Sequence, residues 1–363
     1  NDLFLTRINA DGSYGWTKTI GGTNGSVGYV SAAVDSSDNI YVSGSFGGTV
    51  DFDPDPVATD EHIGIGSQAM YLTKINADGS YGWTKTMGGT ISLIVVYSVA
   101  VDSSGNVYVS GSFTRTVDFD PDPVATDEHT SVGEQDIFLT KINADGSYGW
   151  TKTMGNGGGF ASVGSSGNVY MTGSFQGTAD FDPDPVATDE HTSIGEQDIF
   201  LTKINADGSY GWTKTIGGEG YDGAYSVAVD SSGNVYITGR FSETVDFDPD
   251  PVATDEHTSF YLDIFLTRIN ADGSYGWTKT VSAFQLIGHS ITVDSSENIF
   301  WTGSFQGNAD FDPDPVTTDE HTSTADSFDI FLTKFLKESP TSDEGDDVSD
   351  DSPGATMPWI PLL

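Results

Sequence analysis

The chain contains no cysteine, so disulfides, thiolate metal ligands and thiol nucleophiles are all excluded. Basic residues are scarce. Fourteen Lys and Arg stand against 54 Asp and Glu, a net charge of −40 over 363 residues. Such a surface repels phosphates, which rules against nucleic acid or an anionic membrane surface as partner. Long apolar runs are missing too; none approaches the roughly 18–20 residues of a membrane span. No leader pattern opens the chain, whose first residues already read as a strand, so a mature or trimmed N-terminus is expected. Missing cysteine leaves the compartment open. The acidic balance fits a secreted or cell-surface protein in salty or calcium-bearing water, where cations screen the carboxylates.

What is abundant is glycine, 44 residues, together with 43 aromatic ones, a mixture that suits sheets joined by tight turns. The sequence also repeats itself. Gly-Trp-Thr-Lys-Thr segments place Trp at 16, 83, 150, 212 and 277, spacings of 67, 67, 62 and 65. Each unit carries four strand-like segments and no convincing helix. In the second full unit these are residues 98–102, 107–113, 136–143 and 148–154, with Val107, Val109 and Phe113 on one face. A two-residue turn at Asp145-Gly146 predicts that Ala144 pairs with Ser147 and Lys141 with Trp150, and likewise Lys74 with Trp83. Lysine opposite tryptophan predicts a cross-strand cation–π contact on a solvated strand face.

Four antiparallel strands per unit, repeated along the chain, are the pattern of propeller blades. The segments Ser-Val-Ala-Val-Asp-Ser-Ser-Gly-Asn-Val-Tyr-Val-Ser-Gly-Ser-Phe and Asp-Ile-Phe-Leu-Thr-Lys-Ile-Asn-Ala-Asp-Gly-Ser resemble the bacterial beta-propeller repeat known as SBBP. The Thr-Val-Asp-Phe-Asp-Pro insertion is similar to long-repeat members of that group, and the likeness runs over residues 1 to about 336. The resemblance implies an all-β, five-bladed propeller of four-stranded antiparallel blades, with residues 98–102 innermost and 148–154 outermost. It implies an exported architectural or binding scaffold more than any particular chemistry. Third-strand motifs occur six times, the other strands five times, so the N-terminal hairpin of residues 2–20 is expected to complete the last blade. One third-strand copy, residues 2–9 or 329–336, is then left over.

The main chemical statement is Val-Asp-Phe-Asp-Pro-Asp-Pro-Val-Ala-Thr-Asp-Glu-His at residues 50–62, copied at 117–129, 179–191, 245–257 and 309–321. Its aspartates are Asp51, Asp53 and Asp55, then Asp118, Asp120 and Asp122, Asp180, Asp182 and Asp184, Asp246, Asp248 and Asp250, and Asp310, Asp312 and Asp314. Hard carboxylate oxygens at this density point to calcium as the cofactor. The spacing lacks the central glycine and distal glutamate of an EF-hand. Prolines after Asp53 and Asp55 hold the backbone extended, so two aspartates with a carbonyl and Asp60 or water fit one ion better than all three. The alternative is a solvated loop whose aspartates cap turns. The repeated His62, His129, His191, His257 and His321 are expected to serve structural hydrogen bonds, since a lone His among carboxylates makes a poor zinc site.

Catalysis needs a few single-copy polar residues gathered in one pocket. The residues that occur once, His289, Trp301, Arg115, Arg240 and Glu243, form no acid pair or nucleophile–base pattern. Residues 1–337 are thus expected to be the propeller, and 338–363 an extended tail: an acidic linker with seven acids to residue 352, then an apolar docking segment. Met357, Trp359, Ile360, Leu362 and Leu363 are its candidate partner-binding side chains. The expected function is a non-enzymatic extracellular structural protein, a subunit of a surface filament, matrix or layer. It would assemble head to tail with copies of itself through subunit contacts and this segment. The alternative is a multivalent, lectin-like carbohydrate-binding propeller or adhesin with glycans as partners.

Overall fold

The computed structural model describes residues 2–22, 24–313, 316–324 and 327–337. Residues 338–363, with the five apolar tail side chains named above, lie outside the described residues, as does Asp314. Every regular element among the described residues is a β-strand, and every paired strand runs antiparallel to its neighbour. The chain divides into two compact units, Asn1–Thr215 and Ile216–Leu363.

The first unit holds an N-terminal hairpin, Leu3–Ile8 with Tyr14–Ile20, and three four-stranded repeats. Repeat one is Ser26–Val34, Ile40–Gly47, Ala69–Ile75 and Tyr81–Met87. Repeat two is Ile94–Val101, Val107–Phe113, Asp136–Ile142 and Tyr148–Met154, and repeat three is Gly158–Val163, Val169–Phe175, Asp198–Ile204 and Tyr210–Gly218. The second unit holds repeat four, Gly223–Val229, Val235–Asp246, Glu256–Ile269 and Tyr275–Val281. Repeat five is three-stranded: Gln285–Val293, Ile299–Gln306 and Asp329–Phe335. Within each repeat the strands lie in chain order, first to fourth, as expected.

The expected closure is not in the hydrogen-bond pattern. Leu3–Ile8 takes Tyr14–Ile20 as its own partner in a two-stranded sheet, and Asp329–Phe335 serves as third strand of repeat five. The third-strand copy outside the five repeats is therefore Leu3–Ile8. The reason is that Asp329–Phe335 takes the edge of Ile299–Gln306 that the N-terminal hairpin would have needed.

Packing explains the residue choices. Val107–Phe113 is buried on both faces, not one, because sheets cover it from both sides. In the core shared by repeats one and two, Met70 and Leu72 of the earlier third strand meet Val107, Val109, Phe138 and Ile142 of the later repeat. Ile137 and Leu139 do the same for Val169, Met171, Phe200 and Ile204 of repeat three. One face of each third strand thus belongs to its own repeat and the other to the next. The buried Thr of Phe-Leu-Thr-Lys finds the Thr of Trp-Thr-Lys across the pair, Thr140 to Thr151 at 3.0 Å. Two hydroxyls satisfy each other inside the core, which spares the cost of burying either alone.

The glycine of Ser-Gly-Ser-Phe has a steric reason. The first strand bulges at Tyr97, opposite Ser110 and Gly111, and a Cβ on Gly111 would stand 2.0 Å from the Val95 carbonyl oxygen. Hairpin register is as expected where the lysines are concerned: Lys141 pairs with Trp150 and Lys74 with Trp83. The turn itself is wider. The Asn143 N–H donates to the Ser147 carbonyl, so Ala144 does not pair with Ser147. The ring partners also differ. Lys74 Nζ lies 5.4 Å over Tyr41, its neighbour on the other side, while Trp83 receives Lys85 at 5.9 Å.

Candidate functional site: the acidic arms

Each Asp-Phe-Asp-Pro segment is half of a short hairpin that leaves the sheet as an arm. In repeat two, Thr116–Asp118 pairs with Glu128–Thr130, placing Val117 opposite His129. The same arm forms at Thr49–Asp51, Thr178–Asp180 and Asn308–Asp310; in repeat four it continues the second and third strands without interruption. Sequence patterning passes over these hairpins, since three-residue strands are too short to show a period.

The anchor of the arm is its phenylalanine. Phe119 is fully buried, edge-on to Phe113 at 5.3 Å and 5.1 Å from Phe138. Phe52, Phe181, Phe247 and Phe311 repeat this packing. The arm is also tied to the preceding repeat. The Gly88 and Asp118 backbones exchange hydrogen bonds at 3.3 and 3.1 Å, and Gly21–Asp51 and Gly155–Asp180 are equivalent links.

With the backbone so placed, the carboxylates turn inward on their own loop. Asp118 Oδ1 accepts the N–H groups of Asp120 at 3.1 Å and Asp127 at 2.9 Å. Asp120 Oδ1 accepts from Asp122, and Asp122 Oδ1 from Val124 and Ala125. The pattern recurs at Asp51, Asp53 and Asp55, at Asp180, Asp182 and Asp184, and at Asp246, Asp248 and Asp250. In the last arm Asp310 accepts from Asp312 and Asp319. Each aspartate caps the turn that follows it, a ladder along the chain rather than a ring around a point. These N–H groups hold the Asp55, Asp122 and Asp184 carboxyls below their ordinary range.

That geometry does not gather the three aspartates of one arm around a single point. Among the described residues no group of three or more His, Asp or Glu is arranged to hold a metal ion. The physical reason is that each carboxylate is taken up by N–H groups of the turn that follows it, which strings the side chains along the loop.

A second constellation was not legible beforehand. Asp127 Oδ2 receives the Tyr148 hydroxyl and lies 3.3 Å from His129 Nε2, while His129 Nδ1 meets Thr153 Oγ1 at 3.1 Å. Asp60, His62, Tyr81 and Thr86 repeat the cluster, as do Asp189, His191, Tyr210 and Thr215. Burial pushes the Tyr148 hydroxyl well above its usual pKa, and the Asp127 charge adds to this. The histidine thereby clasps the arm to the fourth strand, the structural hydrogen bonding that its lone position among carboxylates implies. Only the spacing of 21 residues between Asp127 and Tyr148, kept by Asp60 with Tyr81 and Asp189 with Tyr210, could have signalled it.

Comparison with known proteins adds the family context. Residues 82–112 and 211–240 match the SBBP beta-propeller repeat, each match running from a fourth strand through the second strand of the next repeat and leaving out the arms. "Regulatory protein FlaEY" of Caulobacter vibrioides is 28% identical over 274 residues, 68% of this chain and 27% of its own length. An "Uncharacterized WD repeat-containing protein L264" of Acanthamoeba polyphaga mimivirus is 26% identical over 198 residues, 46% of this chain and 14% of its own length. The chain spans about a quarter or less of these relatives.

Proposed function

We propose that this chain, two segments of which match the beta-propeller repeat, is a non-enzymatic structural subunit that works outside the cell and joins copies of itself head to tail. Its five repeats count as five blades in this reading, and its −40 charge suits salt-bearing surroundings. The polar clusters support an architectural role, since the same Asp–His–Tyr clasp serves one arm after another instead of one singular pocket.

The observation that carries the reading is a repeat interface left half-made in two places. In internal repeats both faces of the third strand are covered; Ile137, Phe138, Leu139 and Ile142 are all fully buried. In the first hairpin Leu3 and Leu5 pack on repeat one, but Phe4 and Ile8 are 72% and 59% exposed. In repeat five Phe331 and Phe335 are buried, but Ile330 and Leu332 are 87% and 56% exposed. These are the two complementary halves of the joint that binds every neighbouring pair of repeats within a unit. A second copy brings the missing half. Each large side chain buried this way contributes about 1.5–3 kcal/mol before association costs. One partner face per end makes the contact heterologous, which extends into a filament unless the rotation closes.

Light scattering after size exclusion, with electron microscopy, tests this. Mass should grow with concentration, and Ile330→Lys with Leu332→Lys should return the chain to monomers. A strict monomer at all concentrations would overturn the proposal in favour of a ring closed within one chain. Deleting residues 354–363 separately measures what the apolar tail adds.

A further inference from the structure

The repeats are near copies, yet one half-buried position of repeat four breaks the pattern. The residue after the glycine of the second strand is Ser45, Ser112, Ser174 and Ser304 in the other repeats and Arg240 in this one. The partner position is the bulged residue of the first strand: Tyr97 beside Ser112, His289 beside Ser304, and Tyr225 beside Arg240. Where a serine hydroxyl suffices elsewhere, repeat four places a guanidinium.

That guanidinium is held in place by aromatic rings. Its central carbon lies 4.7 Å from the Tyr221 ring and 5.6 Å from the Tyr225 ring. Tyr221 is itself fixed, its N–H donating to Ser242 Oγ at 2.7 Å. Arg240 Nε is sealed from solvent with no hydrogen-bond partner, and none of the ion pairs among the described residues includes Arg240. A buried guanidinium nitrogen without an acceptor is costly, and in most folds a carboxylate meets it. Beside it opens a cavity of about 620 Å³ lined by Arg240, Tyr261, Leu262, Phe284, Leu286 and Phe328. Its volume falls within the roughly 300–1,000 Å³ of small-molecule pockets. At its mouth the Tyr261 and Phe284 rings meet edge to face at 6.2 Å, both largely exposed.

We propose that this cavity binds a monocarboxylate carried on an apolar body, with the carboxylate on the Arg240 guanidinium and the apolar part against Phe284, Leu286 and Tyr261. The planar guanidinium fork matches a carboxylate, and stacking on Tyr221 and Tyr225 fixes its direction. Apart from Gln285 and the Tyr261 hydroxyl the wall is of rings and aliphatic chains, which leaves few partners for the hydroxyls of a neutral sugar. The charge of −40 disfavours multiply charged phosphates more than a single carboxylate. The site occurs once per chain, unlike the arms.

The test is calorimetry and ligand-observed NMR on the full chain with 3-phenylpropionate, 3-phenylpropionamide and inorganic phosphate. A leucine-rich tripeptide, as free acid and as amide, forms the second arm. One equivalent of 3-phenylpropionate should bind, with its amide and phosphate at least about ten-fold weaker. Tighter binding of the tripeptide acid would assign the carboxylate to a peptide C-terminus rather than a free aromatic acid. Arg240→Ser restores the residue of the other repeats and should weaken binding at least about ten-fold with an unchanged circular dichroism spectrum. Phe284→Ala, at the exposed mouth, should weaken it without touching the fold. No saturable binding up to about 10 mM, equal binding of acid and amide, or an unaffected Arg240→Ser chain would each overturn the assignment.

Discussion

Asp118 separates a capping role from a metal-binding one. Its Oδ1 takes two backbone N–H groups, from Asp120 and Asp127, and these two bonds close the arm of repeat two. Asp118→Ala leaves both donors without a protein partner. Hydrogen bonds to a charged acceptor are worth about 1.5–3 kcal/mol each, and partial exposure of the loop puts these at the lower end. The alanine variant should therefore lose about 2–3 kcal/mol of local protection. Asp118→Asn keeps an amide oxygen where Oδ1 stands and gives up only the charge, so roughly half the loss is expected, about 1–1.5 kcal/mol. Hydrogen exchange resolved by mass spectrometry over residues 118–130 reads this directly, in calcium and in excess EDTA. The capping account expects the order wild type, Asn, Ala in both media, with protection independent of calcium. An alanine variant as protected as wild type would refute it. So would an asparagine variant as damaged as alanine together with protection that vanishes in EDTA, which is the mark of a bound ion.

Two further outcomes follow from the same packing. Gly111→Ala drives a methyl to 2.0 Å from the Val95 carbonyl and should cost about 1–3 kcal/mol or more, whereas Gly28→Ala meets nothing within 4 Å and should be nearly neutral. Equal urea midpoints for the two variants would contradict the close approach. The Asp55, Asp122 and Asp184 carboxyls lie below the ordinary 3.8, so the stability they add is present above that value and is lost as pH falls through the lower folded values. Thermal melting should hold from about pH 6 to pH 4 and then drop; a midpoint flat to about pH 2.5 would deny the linkage.

The sheets were legible because repetition multiplies a weak signal. One copy of Val-Tyr-Val-Ser-Gly-Ser-Phe is an ambiguous apolar run, but with its turn and its Trp-Thr-Lys partner five times over it can only be a strand in a repeated unit. Lys141 stands opposite Trp150 because a bulge at Gly149 offsets the wider turn, and the lysine leans to Tyr108, a ring brought alongside by the second strand. The arms were less legible for a different reason. Asp-x-Asp-x-Asp draws the eye to the charges, while the residue that fixes the arm is the phenylalanine between them. Whether three carboxylates converge or form a ladder depends on backbone direction after proline, which spacing does not carry. The Asp127–His129–Tyr148 clasp joins residues two and 21 apart in sequence, a relation that only the pairing of arm with fourth strand makes visible.

The two-faced third strand has a consequence for how such a chain can change. Met70 and Leu72 present to repeat two the same surface that Ile137 and Leu139 present to repeat three. Excising one whole period therefore leaves a seam whose halves still match, and duplicating one inserts a unit that fits on both sides. Recombination between near-identical segments becomes a move between foldable proteins rather than a lesion. The number of repeats is then a quantity that replication can adjust, while a position such as Arg240 is the kind of novelty that one copy can acquire because its siblings keep the original.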